Sequence, residues 1–363
     1  MIPQMEPLYG PEEIKAVCKY IRSGGWLTEY KLTTELEHMF CDYLGVKHCV
    51  MIPNGTLALY AALSVFSIGL GDYVIVPAMT MIATANAVIM TLGHPTMVDI
   101  DTTTLCADLG QIEQSLKAYP QRRAVIYVSL NGRCDDMSAL VDMCKRFDTI
   151  LIEDAAQSLG SKWHGKALGT FGDVGCFSLS SQKIIGTGQG GFCVTDSDDI
   201  AHKLRLFKDC GREAGTDNYT SFGINLKFTD LQAAIGIEQL KKLPQRVERK
   251  KEMYALYNKL LYDVLGVWFI PTDISQTVPW FIDVLVERRE ELMAYLRSKE
   301  IQTRPFYPAL HQTPVYKPTH SWCKLPVSED VAKRGLWLPS AMTLTDADIY
   351  AVCNAIEVFY AND

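Results

Sequence analysis

Short apolar runs alternate with helical patterns through most of the first 230 residues. The runs VIVP at 74–77, AVIYVSL at 124–130 and TILIED at 149–154 have the length and the β-branched content of buried strands,. A helical pattern, DMSALVDMCKRF, separates the last two runs. This alternation is typical of a mostly parallel sheet with crossover helices, so we predict an α/β fold built around such a sheet.

A helix is predicted at the start of the chain, where the segment PEEIKAVCKYIRSGG has proline in its first turn and glycine at its end,. Ile14, Val17, Cys18 and Ile21 fall on one side of this helix. Apolar residues at this spacing usually face a protein core, so we expect that side to be buried.

The pattern changes near residue 230. Thr229 and Gln232 have the spacing of a capping box and open a helix that breaks at Pro244,. Beyond it the pattern predicts, in order, a helix over roughly 245–262, a strand over 280–286, a helix over 289–299 and a final helix from Thr345,. We therefore predict a large domain over 1–239 and a smaller α+β domain over 240–363, with the N-terminal helix packed on the smaller one.

Residues 73–98 contain no Asp, Glu, Lys or Arg, a run long enough to span a bilayer,. The run nevertheless contains prolines, threonines, an asparagine and a histidine. A sheet covered by helices on both faces produces such uncharged stretches. We therefore predict a buried strand, a turn, a helix and a second strand, and no membrane segment.

Composition narrows the classes of protein further. The 35 lysines and arginines and 42 aspartates and glutamates give a net charge of −7, which argues against a general nucleic-acid binder,. The 11 cysteines are odd in number and form no CxxC pair, and the 7 histidines have no metal-ligand spacing. These features disfavour a disulfide framework or a metal site, and reduced thiols fit a cytoplasmic protein. The start, MIPQMEPLYGPEE, lacks the basic-then-apolar order of a signal peptide,.

The block 151–196 contains the candidate chemistry. Its glycines satisfy GxGxxG at Gly186, Gly188 and Gly191, but they lead into GFCVTD, which has the pattern of a strand. A dinucleotide-binding turn must follow a strand and open a helix. We therefore predict that these glycines do not bind a dinucleotide.

Lys183 and Asp154 each allow two interpretations. Lys183 is either a solvated surface lysine or, given the serines before it and the isoleucines after it, an amine held in a buried polar turn,. A buried lysine loses proton affinity and can react with an aldehyde. Asp154, at the end of a predicted strand, either caps a helix in AAQSLG or pairs with a pyridinium nitrogen,.

At these residues the chain resembles the DegT/DnrJ/EryC1/StrS family of pyridoxal-phosphate sugar aminotransferases. EDAAQSLG and GTFGDVGCFSLSSQKIIGTGQGG carry the likeness, and SGGWLT, PNGTLAL, GINLKFTDLQAAIG and TRPFYPALH extend it along the chain. The resemblance implies an aspartate-aminotransferase-like fold (fold type I of pyridoxal-phosphate enzymes). It also implies pyridoxal 5′-phosphate as cofactor, with pyridoxamine phosphate as intermediate, and a homodimer with shared active sites.

The resemblance assigns a role to each matching position. Lys183 matches the lysine that binds the cofactor covalently, and Asp154 matches the partner of the pyridine nitrogen. The other matches are Ser178, Gly55 and Thr56 as phosphate ligands, Gln157 and Met81 beside the cofactor ring, and Asn225 as a ligand to the phosphate of the neighbouring subunit. An apolar stripe after Asn54 independently predicts a helix there, and its N-terminus suits a phosphate.

Four positions depart from the family pattern. Met81 replaces an aromatic residue that stacks on the ring, Gln189 replaces the acidic residue of GEGG, and Ser129 replaces a histidine. The usual glycine near Glu29 is absent as well.

The resemblance also implies the substrates. VPWFIDVLV, TRPFYPALH and GLWLPSAMTLTD look most like enzymes that move an amino group from L-glutamate to C4 of a nucleotide-linked 4-keto-6-deoxyhexose, in particular GDP-4-keto-6-deoxymannose giving GDP-perosamine. Candidate substrate residues are Trp26, Arg304, Tyr307 and His311, although Trp26 and Tyr307 equally suit core packing.

Other functions stay open on the sequence alone. The acceptor could be a UDP- or dTDP-linked 4-keto-6-deoxyglucose, or the reaction a 3-amination or a dehydration. Dehydratases of this fold carry histidine in place of the lysine, so Lys183 favours transamination,. A regulator or a scaffold on the same fold is the alternative from another class.

Overall fold

The computed structural model describes residues 1–118 and 122–361. Within them the chain forms thirteen α-helices and thirteen strands. The helices are α1 (Pro11–Arg22), α2 (Lys31–Leu44), α3 (Gly55–Val65), α4 (Ala83–Met90), α5 (Leu109–Ala118), α6 (Met137–Arg146), α7 (Asp198–Lys208), α8 (Asp230–Lys241), α9 (Leu243–Leu261), α10 (Arg289–Ser298), α11 (Lys317–His320), α12 (Pro326–Arg334) and α13 (Asp346–Ala361). The strands are β1 (His48–Ile52), β2 (Tyr73–Pro77), β3 (His94–Val98), β4 (Arg122–Val128), β5 (Ile150–Asp154), β6 (Lys162–Trp163), β7 (Lys166–Ala167), β8 (Val174–Ser178), β9 (Gly191–Thr195), β10 (Val267–Phe269), β11 (Ile282–Val286), β12 (Arg304–Pro305) and β13 (Gly335–Leu338).

A seven-stranded sheet in the order β1-β9-β8-β5-β4-β2-β3 forms the centre of the larger part of the molecule. Strands β3, β2, β4, β5 and β8 run parallel, and only β9 is antiparallel to its neighbours β8 and β1. Side chains of α3, α4 and α7 cover one face, and those of α5 and α6 cover the other. The predicted mostly parallel α/β sheet is confirmed.

A second, antiparallel sheet in the order β10-β11-β13-β12 lies in the C-terminal part. The predicted final helix is α13, which buries Ile349, Val352, Cys353 and Ile356 against this sheet. Because all strands of the first sheet precede residue 196 and all strands of the second follow residue 266, we propose to keep the boundary between residues 239 and 240.

The uncharged stretch 73–98 is the predicted strand, helix and strand, now β2, α4 and β3. Val74, Ile75 and Val76 of β2 are completely buried, because the strand lies inside the sheet,. In the described ranges of the chain, no helix is both long and apolar enough to cross a lipid bilayer.

The side of α1 that was predicted to be buried is largely open in the single chain, because Ile14 is 67% and Ile21 54% exposed. Helix α1 packs on α8 through Glu13, whose carboxylate accepts hydrogen bonds from Lys242 (2.7 Å) and Gln239 (2.7 Å). Burial opposes ionisation of Glu13, but the Lys242 ammonium and these hydrogen bonds lower the pKa of this carboxyl to about 2. Helix α1 is therefore held by an ionic contact of Glu13, whereas the sequence pattern predicted that its apolar side would be buried.

Helix α1 contacts the proposed smaller domain at Lys242, through the ion pairs of Glu12 and Glu13. The segment before α1 contacts this domain as well, since the N–H of Ile2 donates to the carbonyl of Glu300 and Ile2 bridges Ile301. The same segment reaches the large part of the molecule at its other end, where the hydroxyl of Tyr9 accepts from the N–H of Gly188 (3.1 Å).

The loop after β4 joins the two sheets. Arg133 forms a two-pronged ion pair with Asp283 of β11 (3.0 and 2.6 Å), and the two side chains are only 2% and 1% exposed. Beside it, the carboxamide of Asn131 donates to the carbonyl of Phe281 (2.8 Å) and accepts from its N–H (2.7 Å). The carboxyl end of the large sheet is therefore fixed against the segment that enters the second sheet.

Candidate active site

Asp154 is the last residue of β5, in the middle of the large sheet. Its Oδ2 accepts a hydrogen bond from the hydroxyl of Thr84 (2.8 Å), and its Oδ1 accepts from the N–H of Ala156 (3.2 Å). Burial raises the pKa of Asp154, while these two bonds and the charge of Lys183 lower it,. Residues 155–160 form turns, so the alternative that Asp154 caps a helix is wrong.

Glu153, the other acid of the pair, has a structural role. Its carboxylate is completely buried and accepts hydrogen bonds from the N–H groups of Gly169 (2.7 Å), Phe171 (2.5 Å) and Gly172 (2.7 Å). Side chains alternate across a strand, so adjacent acids on β5 face opposite sides of the sheet. Glu153 therefore holds a loop, and Asp154 alone is available to the site.

Lys183 lies in the turn that follows β8, where it is half-buried and its side chain lines a small cavity. Burial lowers the pKa of Lys183 to about 7, an effect that the Asp154 carboxylate opposes and the Arg304 guanidinium reinforces,. Its ammonium lies 3.8 Å from the ring centre of Trp280. An amine with this pKa is a nucleophile near neutral pH.

The start of α3 lies against the end of β8. Asn54 caps the helix by accepting a hydrogen bond from the N–H of Leu57 (2.9 Å),. A side chain at Gly55 would come within 3.0 Å of the Cβ of Ser178, so glycine allows the helix start to approach the serine. Gly191 of β9 has the same function, because a Cβ there would lie 2.5 Å from the backbone of Asn54.

The glycine-rich turn leads into β9, as predicted, so it lacks the helix that a dinucleotide-binding turn requires,. Gln189, which departs from the family pattern, has an exposed side chain, and its carbonyl accepts from Thr187 and Gln232. Glu29, near which the usual glycine of the family is absent, forms an ion pair with buried Lys208 (2.7 Å).

Gln157 and Ser129 lie close to Asp154 at the carboxyl ends of β5 and β4. The carboxamide oxygen of Gln157 accepts from the N–H of Asn131 (2.9 Å). The N–H of Ser129 donates to the carbonyl of Asp154 (3.3 Å). The hydroxyl of Ser129 is completely buried and has no hydrogen-bond partner within the described ranges.

One cavity brings several of the sequence candidates together. It is lined by Ala156, Gln157, Leu159, Ser178, Lys183, Ile184, Val278 and Trp280. Among the described residues, no group of three or more His, Cys, Asp or Glu side chains could hold a metal ion.

Three candidates, Trp26, Met81 and Asn225, are not among the residues that line this cavity. Trp26 is 72% exposed and lies in the loop between α1 and α2. Met81 is also exposed, and its sulfur accepts from the N–H of Ala83 (3.0 Å). Asn225 is exposed near Asp209, and its carboxamide oxygen accepts from the N–H of Lys227 (3.2 Å).

Arg304 and Tyr307 lie on an aromatic surface beside Trp337. The Arg304 guanidinium lies 5.2 Å from the Trp337 ring and 6.0 Å from the Tyr307 ring. His311 is buried, and its Nε2 contacts the carboxylate of Glu329 (3.0 Å). Arg304 acts electrostatically on Lys183, whereas His311 is not among the residues that line the cavity.

Sequence reasoning missed two residues of this region. Trp280 was predicted only as the start of a strand, and Thr84 only as a polar residue that argued against a membrane span. Both contacts join residues distant along the chain, because Thr84 and Asp154 are 70 positions apart and Trp280 and Gln182 are 98 apart. No local spacing could have indicated them.

Comparison with known proteins identifies the family. The family model for "DegT/DnrJ/EryC1/StrS aminotransferase family" matches residues 8–357. The chain belongs to this family. It is an aminotransferase, and the aminotransferases of the DegT/DnrJ/EryC1/StrS family depend on pyridoxal phosphate.

Individual members of the DegT/DnrJ/EryC1/StrS family resemble the chain over nearly its full length. GDP-perosamine synthase of Escherichia coli O157:H7 is 33% identical over 365 residues, 99% of each chain. The dTDP-4-dehydro-2,3,6-trideoxy-D-glucose 4-aminotransferase of Saccharopolyspora spinosa is 32% identical, over 98% of this chain and 96% of the relative. The solved structure of a family aminotransferase from Brucella abortus superposes with a TM-score of 0.91 at 30% identity, over 96% of this chain and 95% of that one. The aspartate-aminotransferase-like fold is thereby confirmed.

Proposed function

We propose that Lys183 binds pyridoxal phosphate covalently and that Asp154 faces the pyridine nitrogen. The observation that supports this most is that Lys183 lines one cavity together with Gln157 and Ser178. Burial lowers the pKa of Lys183 there to about 7, and the Asp154 carboxylate opposes that shift. When bound, the cofactor supplies an electron sink for the breaking bond at the amino donor. Ionised Asp154 would hold a proton on the pyridine nitrogen, which that chemistry requires.

The start of α3, which lies against the cavity-lining residue Ser178, fits a phosphate. The N-terminus of α3, with Gly55 and Thr56, is a positive helix end without a side chain in the way,. Ser178 lies directly against it and adds a hydroxyl. We therefore assign Gly55, Thr56 and Ser178 to the phosphate.

Gln157 and Met81 are assigned to the ring of the cofactor. Gln157 is held in place by the N–H of Asn131 and lines the same cavity as Lys183. Met81 would cover the ring with its polarizable thioether where relatives use an aromatic residue.

The free amine of Lys183 is also suited to move the proton. With a pKa of about 7, Nζ can accept a proton from the α-carbon of the amino donor and release it again at neutral pH,. Both transfers use the same atom, so one residue serves both halves of the reaction.

For the substrates we propose L-glutamate as donor and GDP-4-keto-6-deoxymannose as acceptor, with GDP-perosamine as product. Support comes from the GDP-perosamine synthases of Escherichia coli and Vibrio cholerae, which are 33% and 30% identical to this chain. Arg304, on its aromatic support, suits a diphosphate, and Trp26, Tyr307 and His311 stay the other candidates for substrate contact,. A dTDP-linked 4-keto sugar is the second candidate, on the 32% identity to the Saccharopolyspora enzyme.

A homodimer with shared active sites is part of the proposal. Asn225 lies exposed and apart from the cavity of its own chain, which suits a residue that reaches the partner subunit. Exposed apolar side chains such as Ile14, Ile21 and Phe222 offer a surface for a second copy,. We also propose a cytoplasmic location, in keeping with eleven cysteines that are all free thiols,.

Lys183→Ala tests the assignment of the amine. Wild type is expected to show a visible absorbance band with pyridoxal phosphate and to convert it on addition of glutamate. The variant should retain the cofactor through its phosphate contacts, lose the covalent linkage and lose at least about 1000-fold in turnover. Near-wild-type turnover would overturn the assignment.

Product analysis tests the substrate. Wild type is incubated with glutamate and, separately, GDP-, dTDP- and UDP-linked 4-keto-6-deoxyhexoses, and the products are identified by NMR. We expect a 4-amino product with the highest kcat/KM for the GDP-linked sugar. A preference for another nucleotide, a 3-amino product or a deoxygenated product would each contradict the proposed substrate or reaction.

A further inference from the structure

Trp280 presents its ring face to the amine of Lys183. The distance from Nζ to the ring centre is 3.8 Å, well within the range in which an aromatic face attracts a cation,. Trp280 is almost completely buried, so water competes weakly for the ammonium on this side. Tryptophan is the strongest of the aromatic residues in this interaction.

The ring is attached to the segment that carries the amine. The indole N–H of Trp280 donates to the carbonyl of Gln182 (2.8 Å), the residue immediately before Lys183. The ring is therefore tied to the backbone of the turn that carries the amine.

The opposite side of the ring is fixed as well. Trp280 stacks on Phe281 with a ring separation of 3.8 Å and an interplanar angle of 23°. The backbone of Phe281 is held by both ends of the Asn131 carboxamide, and the N–H of Asn131 in turn donates to Gln157. Asn131 has a φ of 53°, a conformation that asparagine tolerates better than most residues,. These contacts fix the orientation of the Trp280 ring in which its face meets the amine of Lys183.

We propose that Trp280 is a positioning residue for Lys183: its indole face holds the ammonium while Nζ carries a proton and is not bound to the cofactor. This inference rests on the proposed function, in which the amine of Lys183 is released from the cofactor. Asp154 and Trp280 then have separate tasks. The carboxylate serves the pyridine nitrogen. The neutral amine accepts the proton from the α-carbon, and the indole then keeps the resulting ammonium in the cavity until that proton is released.

The inference predicts a direction for the change in the pKa of Lys183 that burial alone does not predict. Burial favours the neutral amine, whereas an aromatic face favours the ammonium. Removing the ring while keeping the cavity apolar should therefore lower the pKa of Lys183. A ring that only filled space would, on removal, admit water and raise that pKa or leave it unchanged.

The test measures this pKa directly in the full-length protein without cofactor. Lysines are trace-labelled with acetic anhydride from about pH 5 to about pH 10, and labelling of Lys183 is read by mass spectrometry. Trp280→Leu should lower the labelling midpoint by roughly one pH unit, and Trp280→Phe, which keeps a weaker aromatic face, by about half of that. Trp268→Leu is the matched control, since Trp268 lies on β10 and is partly exposed.

An unchanged or higher midpoint in Trp280→Leu would overturn the inference. Should that variant fail to fold by circular dichroism, Trp280→Phe decides in the same way. In the cofactor-loaded enzyme, the pH profile of the glutamate half-reaction should move in the same direction as the labelling midpoint. Failure to bind pyridoxal phosphate would contradict the proposed function, whereas the labelling midpoint needs neither cofactor nor sugar, so the two failures are distinguishable.

Discussion

At the scale of single residues, the site consists of groups whose charge is set by a few neighbours. Asp154 is buried in the sheet, and the hydroxyl of Thr84, the N–H of Ala156 and the charge of Lys183 favour its ionised form. Thr84 in turn lies 3.0 Å from the hydroxyl of Thr80. A hydrogen bond to a buried carboxylate is worth about 1.5–3 kcal/mol, so Thr84 has a large influence on the acid.

Thr84→Val removes this bond at nearly constant volume. The pKa of Asp154 should rise further, so a larger fraction of the acid is neutral as the pH falls. We expect kcat for the glutamate half-reaction to drop roughly tenfold at pH 8 and more at pH 6. Thr80→Val, which leaves the bond to Asp154 intact, is the control. An equal loss at both pH values would contradict this account.

Sequence reasoning reached the residues whose chemistry is local and missed those defined by distant contacts. Lys183 was singled out because serines, isoleucines and glycines surround it within ten positions. Trp280 could not be found in that way, since its partner Gln182 lies on another element and apolar periodicity does not show which ring faces which amine. Asn225 was reached only through the family resemblance, because no local spacing marks it.

At the scale of elements, close backbone approaches determine where the proposed phosphate site can form. Helix α3 begins directly above β9, and the two backbones can meet only because residue 191 is glycine,. The pattern of the sequence predicted both elements correctly but not their contact. It also predicted a buried side for α1 that is open in the single chain, because an amphipathic pattern does not distinguish a core from a surface for another molecule.

Gly191→Ala tests the contact between β9 and α3. The new Cβ would lie 2.5 Å from the carbonyl carbon of Asn54 and 2.7 Å from the N of Gly55, so the helix start must move. We expect a loss of about 1–3 kcal/mol in the free energy of unfolding and at least a tenfold rise in the Kd for pyridoxal phosphate. The matched control is Gly69→Ala, where the nearest atom to a new Cβ is 3.8 Å away. Unchanged cofactor affinity would show that the helix start does not contact the phosphate.

At the scale of the whole molecule, a second buried lysine affects how stability depends on pH. Lys250 of α9 is completely buried, and its ammonium donates to the carbonyl of Ser340 in the loop before α13. Burial lowers the pKa of Lys250 to about 7, below the usual value of 10.5. Between these values the unfolded chain binds a proton that the folded chain does not, so the free energy of unfolding falls as the pH drops from about 10 to about 7.

Lys250→Met should remove this dependence. We expect the variant to be more stable than wild type by about 1–2 kcal/mol at pH 7, and the gain to shrink towards pH 10, where wild type is no longer penalised. Thermal unfolding at the two pH values gives the comparison. Lys117→Met, at a largely exposed side chain, is the control and should change little at either pH,. A gain of equal size at both pH values would show that the charge of Lys250 is not the cause.

The ion pair between Arg133 and Asp283 is buried, whereas other charged groups of this molecule face water. Dissolved salt screens charges that face water and hardly reaches those that do not. The segment that contains Trp280 is fixed by this buried ion pair, whereas Arg304 faces water. Ionic strength should therefore weaken the capture of an anionic substrate while leaving the arrangement around the reactive amine as it is.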